Sequence, residues 1–108
     1  MKIAIPTDDG SIVRSRFSSS RGFLVATVKS CKIIHQEMRW NLLSEMMTSE
    51  DGYFYNLADC DVVIVKEIGP VHEQILENKN ITIARTGETE LMTALLQYLK
   101  CMSQFSMA

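Results

Sequence analysis

The hydrophobic positions of the chain fall into short blocks separated by polar, turn-forming stretches. The densest block is Val62-Val63-Ile64-Val65, an unbroken β-branched run. A run that short, with no polar alternation, predicts a strand covered on both faces, as in the middle of a parallel sheet. Gly69-Pro70 stops the apolar pattern. Proline is tolerated at the first position of a helix, where its missing N–H costs nothing, and Val71, Ile75 and Leu76 recur at helical spacing. The unit is therefore strand, tight turn, helix. Open α/β sheets place ligands at the loop on the strand's carboxyl end. A helix that begins there offers N–H groups and a partial positive charge.

Taken in order, Lys2 to Ile5 predicts a first strand, ended by Pro6-Thr7-Asp8-Asp9-Gly10. Residues 11–22 are polar, with Arg14, Arg16, Arg21 and a single aromatic, Phe17. This stretch reads as an ordered loop, because Phe23 to Val28 is a strand directly after it. Lys29 to Lys32 fits a hairpin turn. Ile33 to Trp40 returns with period two, placing Ile34, Gln36, Met38 and Trp40 on one face and Ile33, His35, Glu37 and Arg39 on the other. Its mixed polarity marks an edge strand. Leu42, Leu43, Met46 and Met47 have roughly helical spacing without a cap, and Tyr53 to Asp59 predicts a short helix. After the helix over Val71 to Lys79, Ile81 to Arg85 is a further strand ended by Thr86-Gly87. Thr89 is an N-cap for a last helix with Leu91, Met92, Leu95, Leu96 and Leu99 on its apolar stripe.

Three strands in a meander, followed by strands joined through helices, make an α/β fold with a mixed five-stranded sheet in the order 3-2-1-4-5. The expected domain covers 1–102, with 103–108 as a tail. Composition narrows the class. The chain has 108 residues, 46% hydrophobic and 22% charged, which suits one soluble domain. A net charge of −2 gives no basic face for nucleic acid. No apolar run is long enough for a membrane span, and the N-terminus does not resemble a signal peptide. Three widely spaced cysteines, Cys31, Cys60 and Cys101, argue against a disulfide framework and for a reducing cytoplasm.

The topology gathers Asp8, Asp9, Gly69, Pro70, His72 and Gly87 at one end of the sheet, with the arginine-bearing loop. It sends all three cysteines to the other end. An anionic ligand at the Gly69-Pro70 turn would meet the N–H groups of Val71, His72 and Glu73, with Arg16 or Arg21 as countercharge. His72, when neutral, is the candidate metal ligand. His35 reads as structural, and Asp8-Asp9-Gly10 reads as a turn before it reads as a pair of catalytic carboxylates. Met46 and Met47 are soft donors better read as core, and Cys60 as a small buried hydrophobe. Catalysis is not expected. Two-metal hydrolysis needs several carboxylates around one site, none lies within Val62 to Val65, and Glu67 and Glu88 carry no spacing signature. There is no phosphate loop, zinc pattern or paired nucleophile and base.

Met1 to Gly10, Arg16-Phe17-Ser18 with Phe23-Leu24-Val25, Asp59-Cys60-Asp61-Val62-Val63-Ile64 with Ile68-Gly69-Pro70, and Ile81 to Gly87 together resemble the dinitrogenase iron–molybdenum cofactor biosynthesis family, the NifX/NifB-type domain. The resemblance covers the chain except for 41–55. It implies a ribonuclease H-like fold and the binding or carriage of iron–sulfur or iron–molybdenum-type clusters, with cofactor-assembly proteins as partners. Relatives commonly carry His-Phe-Gly where this chain has Arg16-Phe17-Ser18, and arginine does not ligate metal. The loop that relatives fill with Gly and His is here 41–52, which has no His. Two readings follow: a non-catalytic carrier of such a cluster, or an interaction module that has lost the cluster site.

Overall fold

Alternation along each strand decides the architecture, because successive side chains must find cover on opposite sides. The computed structural model describes residues 1–17, 20–40 and 57–106, with side chains to Cys101. Strands β1 (Lys2–Thr7), β2 (Gly22–Lys29), β3 (Lys32–Trp40), β4 (Val62–Val65) and β5 (Thr82–Arg85) form one sheet in the order β3-β2-β1-β4-β5. β2 runs antiparallel to β1 and β3, while β4 is parallel to β1 and β5. Helix α1 (Pro70–Asn78) crosses from β4 to β5, and α2 (Leu91–Ser106) follows β5. The expected mixed α/β sheet and its strand order are what is found.

Each face of the sheet has its own core. Ile3, Ile5, Leu24, Ala26, Val28, Val62 and Ile64 pack under Leu91, Ala94, Leu95 and Leu99 of α2. Ala4, Phe23, Val25, Val63 and Val65 face the other way, onto Leu76 of α1, Leu57 and Phe17. β4 thus needs apolar residues at every position, which explains its unbroken run.

Several local expectations are corrected. β1 continues through Pro6 to Thr7. Its pairing with β4 covers Ile3 and Ala4, so the proline stands past that stretch, where its missing N–H matters less. The hairpin turn forms without Asn-Gly: Ser30 and Cys31 adopt φ of 53° and 61°, as a two-residue type I′ turn requires. In β3 the register slips between Thr27 and Val28, so that Thr27 pairs with His35 but Val28 with Ile33. This bulge puts Ile33 on the same core as Met38, against the simple period-two reading, and leaves Ile34 exposed. In α2 the buried stripe is Leu91, Ala94, Leu95 and Leu99; Met92 and Leu96, expected on it, are exposed at 39% and 53%. The helix runs on to Ser106. Glu90, not Thr89, stands immediately before the helix, and the Thr89 hydroxyl accepts from Lys66 Nζ at 3.2 Å. Leu57 to Asp59 is a turn, closed by Cys60 N–H to the Leu57 carbonyl at 3.0 Å. The rest of the predicted 53–59 helix, and Leu42, Leu43, Met46 and Met47, lie outside the described residues.

The polar loop after β1 is an ordered strap. Thr7, fully buried, donates from its hydroxyl to the Ile12 carbonyl at 2.7 Å and accepts from Gly10 N–H at 3.0 Å. Gly10 has φ of +86°, a conformation glycine adopts without strain. Val13 then enters the α2-side core and Phe17 the α1-side core.

Candidate functional site

The carboxyl end of β4 is where strap, turn and helix meet. Beyond Val65 the chain passes Glu67, which holds the strap by two backbone bonds: Phe17 N–H to the Glu67 carbonyl at 3.1 Å, and Glu67 N–H to the Ser15 carbonyl at 3.0 Å. Arg16 lies between these bonds, bridged to Glu67 as in a parallel sheet. The result is an open cleft of about 310 Å³ lined by Arg16, Phe17, Glu67, Ile68 and Gly69.

Aromatic contacts set the walls. Phe17 is 1% exposed and sits 5.6 Å from Phe23, ring centre to ring centre. The edge-on His72 ring is 5.7 Å from Phe17, a favourable aromatic geometry. His72, half-buried, leans back over Gly69: a Cβ at Gly69 would lie 4.0 Å from its Nδ1. Gly69 has φ −74° and ψ 157°, which any residue can adopt. The absent side chain here leaves room at the cleft mouth and relieves no strain.

The predicted residues are only partly gathered. Arg16 and Gly69 line the cleft, His72 joins them through Phe17, and Pro70 opens α1 next to Gly69. Arg21 does not line the cleft among the described residues; its backbone N–H donates to Asp8 Oδ1 at 2.9 Å. Of the three N–H groups expected to face a ligand, that of Glu73 donates to the Gly69 carbonyl at 3.0 Å. It is the first intrahelical bond of α1. Phe17 and Ile68 were not singled out as ligand-facing. The signal for Phe17 was its isolation as the one aromatic in a polar loop.

Asp8 and Asp9 belong to a separate hollow of about 290 Å³ with Ile12, Val13, Arg14 and Ser15. Asp8 pairs with Arg14 at 2.9 Å. Asp9 Oδ1 accepts from Ser11 N–H at 2.8 Å and Ile12 N–H at 3.2 Å, and these bonds hold its carboxyl below the ordinary value. Both carboxylates are spent on the turn.

The cysteines divide. Cys31 is in the β2–β3 turn and Cys60 beside the start of β1, both far from the cleft. Cys101 lines a groove between α2 and β5 with Ile64, Arg85 and Thr86, separate from the cleft. Among the described residues no three or more His, Cys, Asp and Glu side chains gather as a metal site. The donor chemistry at the cleft is therefore a guanidinium, one imidazole and backbone N–H groups. That set does not enclose a metal by protein ligands alone. It does fit an anionic cluster that brings its own sulfide or oxide ligands, with His72 as a single protein donor.

A profile of the family described as dinitrogenase iron–molybdenum cofactor matches residues 1–100. The chain belongs to this family. No curated protein matches it in sequence. Among solved structures, the family fold recurs in a protein from Methanocaldococcus jannaschii provisionally assigned as a dinitrogenase. It has TM-score 0.75 and 16% identity, over 94% of this chain and 89% of that one. The apo form of the orange protein from Desulfovibrio gigas is similar with TM-score 0.69 and 20% identity, over 95% and 87%. A protein from Thermotoga provisionally assigned as NifB gives TM-score 0.72 and 18% identity, over 92% and 87%. At these identities the likeness is one of fold. No described helix is long and apolar enough to cross a membrane.

Proposed function

We propose that this protein is a non-catalytic carrier of an anionic iron–sulfur or iron–molybdenum-type cluster, handed between cofactor-assembly proteins in the cytoplasm. The family match supports the cargo class. The free thiols of Cys31, Cys60 and Cys101 suit a reducing compartment. The observation that carries the reading is that Arg16 lines one cleft with Gly69, while His72 flanks the same turn across Phe17.

The cluster is cargo, so it must be held and also released. A guanidinium has five donors in a fixed fork and stays charged at every working pH. The start of α1 adds its partial positive charge. Glu67 works against both, since its exposed carboxylate shares the lining. Holding is therefore weak and salt-sensitive. Arg16→Ala removes a charge-assisted contact of roughly 1.5–3 kcal/mol, a loss of about tenfold or more in affinity.

The test is anaerobic reconstitution with iron, sulfide and molybdate, with metal counted per chain and absorption followed during titration. Arg16→Ala and His72→Ala are expected to weaken binding, and added salt to weaken the wild type, while Cys101→Ser changes nothing. Loss on Cys101→Ser alone would place the cargo in the α2–β5 groove. A second reading, an interaction module that carries no cluster, is favoured by the lack of three gathered ligands among the described residues. It predicts no metal in protein purified without oxygen and no uptake on reconstitution.

A further inference from the structure

We propose that β3 is the docking edge for a second copy of this chain, the two β3 strands pairing antiparallel about a two-fold axis at Gln36 into one continuous sheet. Among the described residues β3 ends the sheet on its side, and at nine residues it is far longer than β5, the four-residue strand at the other edge. An edge strand presents a row of N–H and C=O groups that another strand can complete. Two large apolar side chains on β3 face solvent, Ile34 at 61% and Trp40 at 47% exposed. Lys32, His35 and Gln36 are exposed beside them.

A two-fold contact requires a surface complementary to itself, and the order of residues along β3 supplies it. Pairing about Gln36 sets His35 opposite Glu37 of the second copy and Ile34 opposite Met38, each pair occurring twice. These are an imidazole with a carboxylate, whose Oε1 already accepts from Arg39 of its own chain, and two apolar side chains. Shifting the axis to Glu37 opposes Glu37 to itself, and shifting it to His35 opposes His35 to itself. An axis at Met38 would match Glu37 with Arg39, but Arg39 is already bound to Asp59 and Glu37 of its own chain. It would also leave Ile34 outside the contact. The bulge at Ile34 limits the regular ladder to about Ile34–Met38, so the dimer is weak and its population follows concentration. The cleft at Gly69 lies on the β4 side of the sheet and stays open.

Sedimentation equilibrium from micromolar to millimolar protein tests this. The weight-average mass is expected to rise from one chain to two. Ile34→Lys, at an exposed position outside both cores, should weaken association about tenfold or more with the far-ultraviolet spectrum unchanged. On a background of Cys31→Ser and Cys101→Ser, Gln36→Cys should oxidise to a disulfide-linked dimer and Met38→Cys should not. A single-chain mass at millimolar concentration, a dimer indifferent to Ile34→Lys, or cross-linking at Met38 in place of Gln36 overturns the proposal.

Discussion

Arg39 ties β3 to the turn before β4. Its guanidinium meets both oxygens of Asp59 and reaches Glu37 Oε1 at 2.9 Å, while Lys2 Nζ adds a contact to Asp59 at 2.7 Å. The Arg39 bonds first, and Lys2 second, hold the Asp59 carboxyl far below the ordinary carboxylate range. A carboxyl depressed on folding contributes stability above its unfolded pKa and loses it as pH falls toward the folded one. Because the Asp59 side chain is 50% exposed, solvent screening limits that contribution to about 1 kcal/mol. Asp59→Asn should therefore cost about that much at neutral pH, and the gap to wild type should narrow progressively below about pH 4. Urea denaturation at several pH values measures it. The neighbouring thiol behaves in the opposite sense. Burial, and then the Asp59 charge, pushes Cys60 up to about 11, and the side chain is 6% exposed. At mildly alkaline pH a thiol reagent should modify exposed Cys101 at least about tenfold faster than Cys60, as peptide mapping of briefly treated native protein would show.

Among the elements, α2 shows what periodicity can and cannot settle. Its stripe was legible as apolar, but Leu, Met and Leu at 95, 92 and 96 are chemically alike, and the sequence does not say which arc meets the sheet. Leu95 is fully buried and Leu96 is 53% exposed. Leu95→Ala should cost about 2–5 kcal/mol and Leu96→Ala less than about 0.5 kcal/mol, by chemical denaturation. Equal losses would mean the helix is rotated about its axis. β4 was legible because an unbroken β-branched run has one good explanation. The bulge in β3 was not, since nothing in Lys32 to Trp40 marks the extra residue; it is fixed by pairing with β2. The close fit at Gly22 was equally invisible: a Cβ there would come within 2.6 Å of the Arg39 carbonyl, a neighbour distant in sequence.

For the molecule as a whole, the topology predicted Gly69 and Arg16 at one end of the sheet, and the two line one cleft there. Local contacts were less legible: the Arg21 backbone N–H is bonded to Asp8 Oδ1, and Cys101 shares a groove with Arg85 and Thr86. Gly69 provides a test that separates cargo binding from stability. Gly69→Ala meets no backbone strain and only an ordinary contact with His72. It should change unfolding free energy by less than about 0.5 kcal/mol yet lower cluster affinity in reconstitution titrations, by narrowing the mouth.

The strap over 11–17 has its apolar pegs in opposite cores, Val13 at 2% and Phe17 at 1% exposure. The sheet keeps those cores apart, yet three residues separate the first peg from the second and the backbone is bonded on both flanks of Arg16. The cation is carried on a taut line with no slack on either side. Its backbone is held while its side chain can swing, so on the carrier reading exchange at this cleft would run through rotamer motion on nanosecond scales.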